Sequence, residues 1–287
     1  MKYWQSLSFT EPAHLVPLVQ KAEEVGFDGV FMSDHVWNPS EIAPRYPYSP
    51  DGKPSFDENV PWPDPWVMIG AFAAVTRRIR FSTATYILPL RNVLQVAKTV
   101  GTAADLSGGR VALGIGVGWM REEFEALGQD FGTRGRRTDE MIAALRAIWS
   151  GSEVAYDGRH VRFARGQMKP APAARVPIFV GGQSPAALRR AGALGDGWIG
   201  AGCGPDEVSG FLSTIHAARR EAGREREPFE VIVPLTVPID ADVVRRMEDT
   251  GVTALVSYPV GFQIGPGQPL EKQLGALERW GELVARG

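Results

Sequence analysis

Short apolar runs alternate with amphipathic helical runs along almost the whole of the 287-residue chain. No other feature restricts the fold as much. The first run covers residues 3–8, and a helical pattern follows it. In that helix Leu15, Leu18, Val19, Ala22 and Val25 recur at the 3.6-residue period, with Thr10 placed as N-cap, Pro12 in the first turn and Gly26 just past the end. Further strand-like runs lie at 29–32, 79–84, 111–115, 178–180, 198–199, 231–237 and 254–257. Helical patterns separate them at 64–75, 93–106, 121–127 with 136–149, 185–194, 206–222 and 241–249, and one closes the chain at 270–285.

Eight β-α units in this length predict a (β/α)8 barrel formed as a single domain over residues 1–287. A doubly wound dinucleotide fold needs a glycine-rich first turn, and here that turn reads Phe9-Thr10-Glu11-Pro12. Two insertions interrupt the rhythm. Residues 35–63, after the second strand, hold Trp37, Tyr46, Tyr48, Phe56 and Trp62 among several prolines. In a barrel this loop lies over the C-terminal face, where active sites form. Residues 151–177, before the fifth strand, contain a hairpin pattern with Asp157-Gly158 as a two-residue turn.

Composition narrows the function classes. Hydrophobic residues are 44% and charged residues 22%, ordinary for a globular chain. With a formal charge of -2 and no long Lys/Arg block, nucleic-acid binding lacks an electrostatic basis. No run of 18 apolar residues predicts a membrane span, and the first nine residues lack a signal-peptide core, so a cytoplasmic protein is expected. One cysteine, Cys203, excludes a disulfide framework and a thiolate cluster. Four histidines, of which only His35 follows a strand, are too few for a barrel metallohydrolase, so no metal is expected. There is no Gly-x-Ser-x-Gly nucleophile elbow.

The chemistry-bearing candidates stand at strand ends. Gly181-Gly182-Gln183-Ser184-Pro185 leaves the fifth strand and opens a helix with Ser184 as N-cap, which predicts a phosphate site. Gly114-Ile115-Gly116-Val117-Gly118-Trp119 resembles a dinucleotide fingerprint but has Trp119 in the third-glycine slot. Its glycines require a close approach, by a flat cofactor or by a packed neighbour. Ser33-Asp34-His35 offers either an acid/base or cofactor-bonding pair, or a capping Asp34 beside a structural His35. Cys203 lacks a basic sequence neighbour, Arg134-Gly135-Arg136-Arg137 reads as a solvated helix start, and Glu122-Glu123 reads as first-turn acids that complement the helix dipole.

Several segments together resemble the bacterial luciferase-like monooxygenase superfamily, in its coenzyme F420-dependent branch. They are Ala22-Glu23-Glu24-Val25-Gly26-Phe27-Asp28, Ser33-Asp34-His35, Leu88-Pro89-Leu90-Arg91, the run from Leu106 to Trp119, Arg134 to Glu140, and Pro177 to Gly182. Tyr46-Pro47-Tyr48-Ser49-Pro50-Asp51-Gly52 is similar to the F420 branch in particular. The resemblance implies a barrel with a flavin or deazaflavin ring across the strand ends and its phosphate end held at Gly181-Gly182. It implies cofactor contacts at Asp34, Val117 and Gly118, a non-proline cis peptide at Ala84-Thr85, and His35 as proton donor.

A sugar-phosphate dehydrogenase relative has a glutamate where this chain has Trp119, and lysines for its substrate phosphate that are missing here. A less polar substrate, apolar or aromatic, is therefore expected against Trp37 and Trp119. The expected activity is hydride transfer between reduced F420 and such a small molecule. A monooxygenase using reduced FMN and O₂ is the alternative, and a non-catalytic flavin-binding barrel a second. Arg45, Arg136, Arg137 and Arg189 are candidates to receive the anionic F420 tail. A homodimer, and a flavin or F420 reductase as electron source, complete what the resemblance implies.

Overall fold

A computed structural model describes residues 1–284, apart from Pro44, Pro50, Ser55, Asp57, Glu58 and Pro266, with residues 282–284 as backbone only. In chain order the elements are β1 (Lys2–Ser6), α1 (Pro12–Glu24), β2 (Gly29–Met32), α2 (Pro65–Val75), β3 (Arg80–Thr83), β4 (Tyr86–Ile87), α3 (Val93–Leu106), β5 (Leu113–Gly116), α4 (Arg121–Ala126) and α5 (Arg134–Trp149). They continue as β6 (Val154–Asp157), β7 (Arg162–Gly166), β8 (Ile178–Gly181), α6 (Pro185–Leu194), β9 (Gly197–Ile199), α7 (Pro205–Glu221), β10 (Glu230–Val233), α8 (Ala241–Thr250), β11 (Ala254–Ser257), α9 (Val260–Ile264) and α10 (Leu270–Val284).

Nine strands form one parallel sheet in the order β3-β2-β1-β11-β10-β9-β8-β5-β4. The two ends of that order are one stretch of chain: β3 and β4 are separated only by Ala84 and Thr85, whose peptide bond is cis, as the resemblance implies. The Phe81 N–H donates to Arg110 O and the Ala112 N–H to Phe81 O, both at 2.9 Å, which ties β3 to the approach of β5. The sheet thus closes as a (β/α)8 barrel, with β3 and β4 counted as one interrupted strand.

The strands are buried on both faces, so their sequences read as continuous apolar runs rather than alternating ones. Side chains nevertheless divide by strand period. Trp4, Phe31, Phe179, Ile199, Ile232 and Val256 fill one cluster, while Tyr3, Val30, Ile178, Trp198, Val231 and Leu255 join the larger layer that packs the helices. Among the described residues no helix is long and apolar enough to cross a membrane.

Some boundaries differ from those expected, each with a local cause. β1 stops at Ser6, and Phe9 soon adopts a left-handed φ of 61°. The first helix begins at Pro12 with Glu11 as N-cap, and the Thr10 hydroxyl instead donates to Ser8 O. β10 ends at Val233 because Pro234 has no N–H to give the ladder. The hairpin turn is also longer than two residues: Asp157 pairs with Arg162, leaving residues 158–161 in the turn. Glu140 holds that longer turn by accepting the N–H groups of Arg159, His160 and Val161 at 3.2, 2.8 and 2.8 Å.

Beside Trp4, Arg80 donates two hydrogen bonds to Glu230, at 2.9 and 2.8 Å, with its guanidinium over the Trp4 ring. Burial works against the Glu230 charge, but Arg80 and Lys2 hold the carboxyl below its ordinary value of 4.5. A depressed folded-state value stabilises the native state above the unfolded value and loses that contribution as the pH falls. Urea unfolding near pH 4 and at neutral pH therefore shows a smaller acid loss in Glu230→Gln than in the parent. An equal loss in both would remove this pair from the account of acid sensitivity.

Candidate active site

A cavity of about 790 Å³ opens where the strands end, bounded by the β-α turns and the loop after β2. One wall is largely backbone. Ala84, Thr85, Gly116, Val117 and Gly118 border it, together with the turn Gly181-Gly182-Gln183-Ser184. Thr85 explains two of the glycines. A Cβ on Gly116 would lie 2.4 Å from Thr85 Oγ1, and one on Gly181 would lie 2.3 Å from Thr85 Cγ2. The close approach read from the sequence is therefore, at these positions, made by a packed neighbour. Its result is a wall with little side-chain relief.

The turn after β8 has the expected form. Ser184 is the N-cap of α6, its Oγ accepting the Ala187 N–H at 3.2 Å, and Pro185 opens the helix. Trp198 fixes the turn from behind by donating Nε1–H to Gly182 O at 2.7 Å. A helix start of this kind carries N–H groups without intrahelical partners, which suits an anionic group.

Aromatic side chains make another part of the lining. The His35 ring lies 4.6 Å from that of Trp62, 6.2 Å from Phe56 and 6.3 Å from Trp119, centroid to centroid. Phe9 stacks between Phe56 and Phe262 at 5.5 and 5.4 Å, and Tyr46 meets Trp119 at 5.1 Å. Burial pushes the Tyr46 phenol to about 12, so it stays protonated. The long loop is thus docked by its own rings against the cavity.

Trp37 is a correction. Its indole is 60% exposed and takes no part in the cavity lining. The backbone accounts for this, since the Val36 and Trp37 N–H groups both turn inward to Glu123 Oε1, at 2.6 and 3.3 Å. Trp62 and Phe56, which the sequence offered only as loop aromatics, border the cavity instead.

Asp34 and His35 end β2 but have different surroundings. Asp34 is buried, and its oxygens are engaged by Arg91 at 2.5 and 2.7 Å and by the Ile87 N–H at 2.9 Å. Burial opposes the Arg91 charge, yet Asp34 beside it raises the guanidinium above its ordinary value. Both Asp34 and His35 border the cavity, and the Nδ1 of His35 lies 3.0 Å from Oε2 of Glu123. The imidazole is therefore oriented by Glu123 and not by Asp34. Glu123 stands in the first turn of α4, as expected, but is also fully buried, with the His35 ring as a partner that the sequence reading did not give it.

Among the described residues, the arginines and lysines at the cavity are Arg45 and Arg134. Of the four candidates named for an anionic tail, Arg45 borders the cavity, whereas Arg137 is turned to Pro89 O. Arg134 packs over Phe131 and donates to Gly118 O. Cys203 is buried, and burial pushes its thiol up to about 11, which removes it as a nucleophile at neutral pH.

The family of luciferase-like monooxygenases matches residues 4–279 of this barrel. The chain belongs to that family. An uncharacterised protein of Mycobacterium tuberculosis is 36% identical over 286 residues, 99% of each chain. A protein of Nakamurella multipartita named F420-dependent glucose-6-phosphate dehydrogenase is 31% identical over 268 residues, 91% of this chain and 74% of that one. In structure, an F420-dependent secondary alcohol dehydrogenase solved with an F420-acetone adduct superposes with a TM-score of 0.77 at 17% identity, over 99% of this chain and 98% of that one. As a luciferase-like family member, the chain is an oxidoreductase.

Proposed function

We propose that this luciferase-like oxidoreductase uses coenzyme F420 to pass hydride to or from a neutral, apolar or aromatic small molecule, with His35 handling the accompanying proton. The observation that carries this reading is the cavity itself, in which a wall of glycine-rich backbone and a wall of aromatic rings with one imidazole border the same space. A flat heterocycle fits the first wall and a planar apolar reactant the second. The similarity to a relative named as F420-dependent supports the cofactor.

Residues of this chain fit such a cofactor. Gly116 to Gly118 and Thr85 would face its ring, the Gly181-Gly182 turn with the start of α6 would take its phosphate end, and Arg45 and Arg134 are the cations in reach of further negative charge. The bound deazaflavin supplies the hydride chemistry, and the protein supplies placement, a dry surround and a proton site. No lysine borders the cavity among the described residues, and this reading gives its two arginines to the cofactor's own negative charge, which leaves a sugar phosphate without a cation of its own. The aromatic wall instead favours substrates such as enones, nitroaromatics or quinones. An F420 reductase elsewhere would recharge the cofactor.

Fluorescence titration of the purified protein with F420, and separately with FMN, tests the reading. Micromolar or tighter binding of F420 with much weaker FMN binding is the expected result. Preference for FMN moves the chemistry to oxygen-consuming reactions, and binding of neither overturns the redox assignment of this cavity.

A further inference from the structure

Glu123 has a more specific task than burial alone explains. It stands on the short helix α4, 88 residues from His35 in sequence, and is 0% exposed. Its two oxygens have separate work. Oε1 accepts the N–H groups of Val36 and Trp37, at 2.6 and 3.3 Å, and Oε2 lies 3.0 Å from Nδ1 of His35. Both backbone donors belong to residues that immediately follow the histidine. One carboxylate therefore fixes the imidazole and the peptide units that carry the chain away from it.

A carboxylate offers only acceptors, so the hydrogen bond from the ring places a proton on Nδ1. The other nitrogen, Nε2, has no protein partner among the described residues, and the ring borders the cavity. We infer that Glu123 is a positioning residue that sets the tautomer of His35, holding the proton on Nδ1 and leaving the Nε2 lone pair for the reacting molecule. A proton released by a substrate is then taken at Nε2, giving the imidazolium. In the opposite direction the same Nε2–H is given back, and the Nδ1 proton remains on the Glu123 side throughout. This rests on the reading of His35 as the proton site, but the tautomer itself exists without cofactor or substrate.

The adjacent Glu122 provides the comparison. Its Oε1 accepts the Ala43 N–H at 2.9 Å, so it tethers the same loop without touching the imidazole. If Glu123 acts only as a loop tether, the two glutamates should behave alike toward His35.

The test is nitrogen-15 NMR of histidine-labelled protein at neutral pH and without ligand, His35 being assigned by loss of its signals in His35→Asn. The expected spectrum has a protonated Nδ1 and a bare Nε2. In Glu123→Gln the amide can keep Oε1 on the two backbone N–H groups and donate its N–H to Nδ1, so the pattern inverts, with the proton on Nε2. Glu122→Gln retains the parent pattern. A parent protein with its proton on Nε2 overturns the inference even if no variant folds. So does a Glu123→Gln protein whose tautomer is unchanged, or a Glu122→Gln protein whose tautomer inverts. Failure of F420 to bind would sink the proposed activity and leave this result untouched, so the two failures can be told apart.

Discussion

Turnover of reduced F420 with cyclohexenone falls on the order of 10²–10⁴-fold in kcat when His35 is replaced by Ala, the range that a positioned acid–base group supplies. Reduction of an enone places hydride on the β-carbon and leaves negative charge on the enolate, and that charge is relieved by a proton that Nε2 has first taken up from solvent to form the imidazolium. Cofactor binding should survive the change. The backbone wall and the turn into α6 hold none of their shape through His35, which stands among the aromatic rings. The expected signature is thus a loss in kcat with the F420 dissociation constant within about a factor of a few, since uniform binding is not what was removed. The fold should also survive, because Glu123 keeps two backbone N–H donors after the imidazole is gone. Undiminished kcat at saturating cofactor and enone would show that water or another group delivers the proton. Loss of F420 binding of similar size would show that the ring holds the cofactor, and the proton role would lose its support.

The barrel was legible because a parallel barrel is written in local signals. Each strand is a short apolar run and each helix an amphipathic one, and several helix limits, such as those of α3 and α6, coincide with their sequence patterns. Ser184 and Pro185 announced their helix by the chemistry that any N-cap and first turn require. Less legible were features set by distant partners. Nothing near Glu123 reports that its carboxylate meets His35; the available clue was its place immediately before Phe124, another residue with 0% exposure, on a helix otherwise open to solvent. Trp37 misled for a related reason. Its proximity to His35 in sequence and its ring chemistry pointed inward, but two backbone hydrogen bonds to Glu123 decide which way that segment turns. The break between β3 and β4 was likewise invisible to periodicity, because the run read over 79–84 ends at Ala84 and the two residues of β4 are too few to register as a strand, and only the resemblance pointed to the cis bond.

Asp34→Ala lowers stability by roughly 3–5 kcal/mol, the usual cost of removing one member of a buried ion pair. The side chain of Asp34 is 2% exposed and that of Arg91 16%, so the stranded guanidinium regains some water and the loss should sit toward the lower end. Three connections go at once: two hydrogen bonds to Arg91 and one from the Ile87 N–H. The last of these matters to the site, because it ties the end of β2, beside His35, to β4, which follows the Ala84-Thr85 peptide on the backbone wall of the cavity. Arg91 retains its place over the Tyr86 ring, 4.2 Å from the centroid, and a 3.2 Å bond to Ile87 O, so it cannot simply swing into solvent. Combining Asp34→Ala with Arg91→Met therefore recovers part of the loss, since the uncompensated charge disappears together with its partner. Urea unfolding of the parent, both single variants and the double variant gives the coupling directly. If the single Asp34 change costs less than about 1 kcal/mol, a value typical of an exposed pair, the carboxylate is not the anchor of this strand end. Its oxygens would then be available to a cofactor, the role that the sequence resemblance assigned to it.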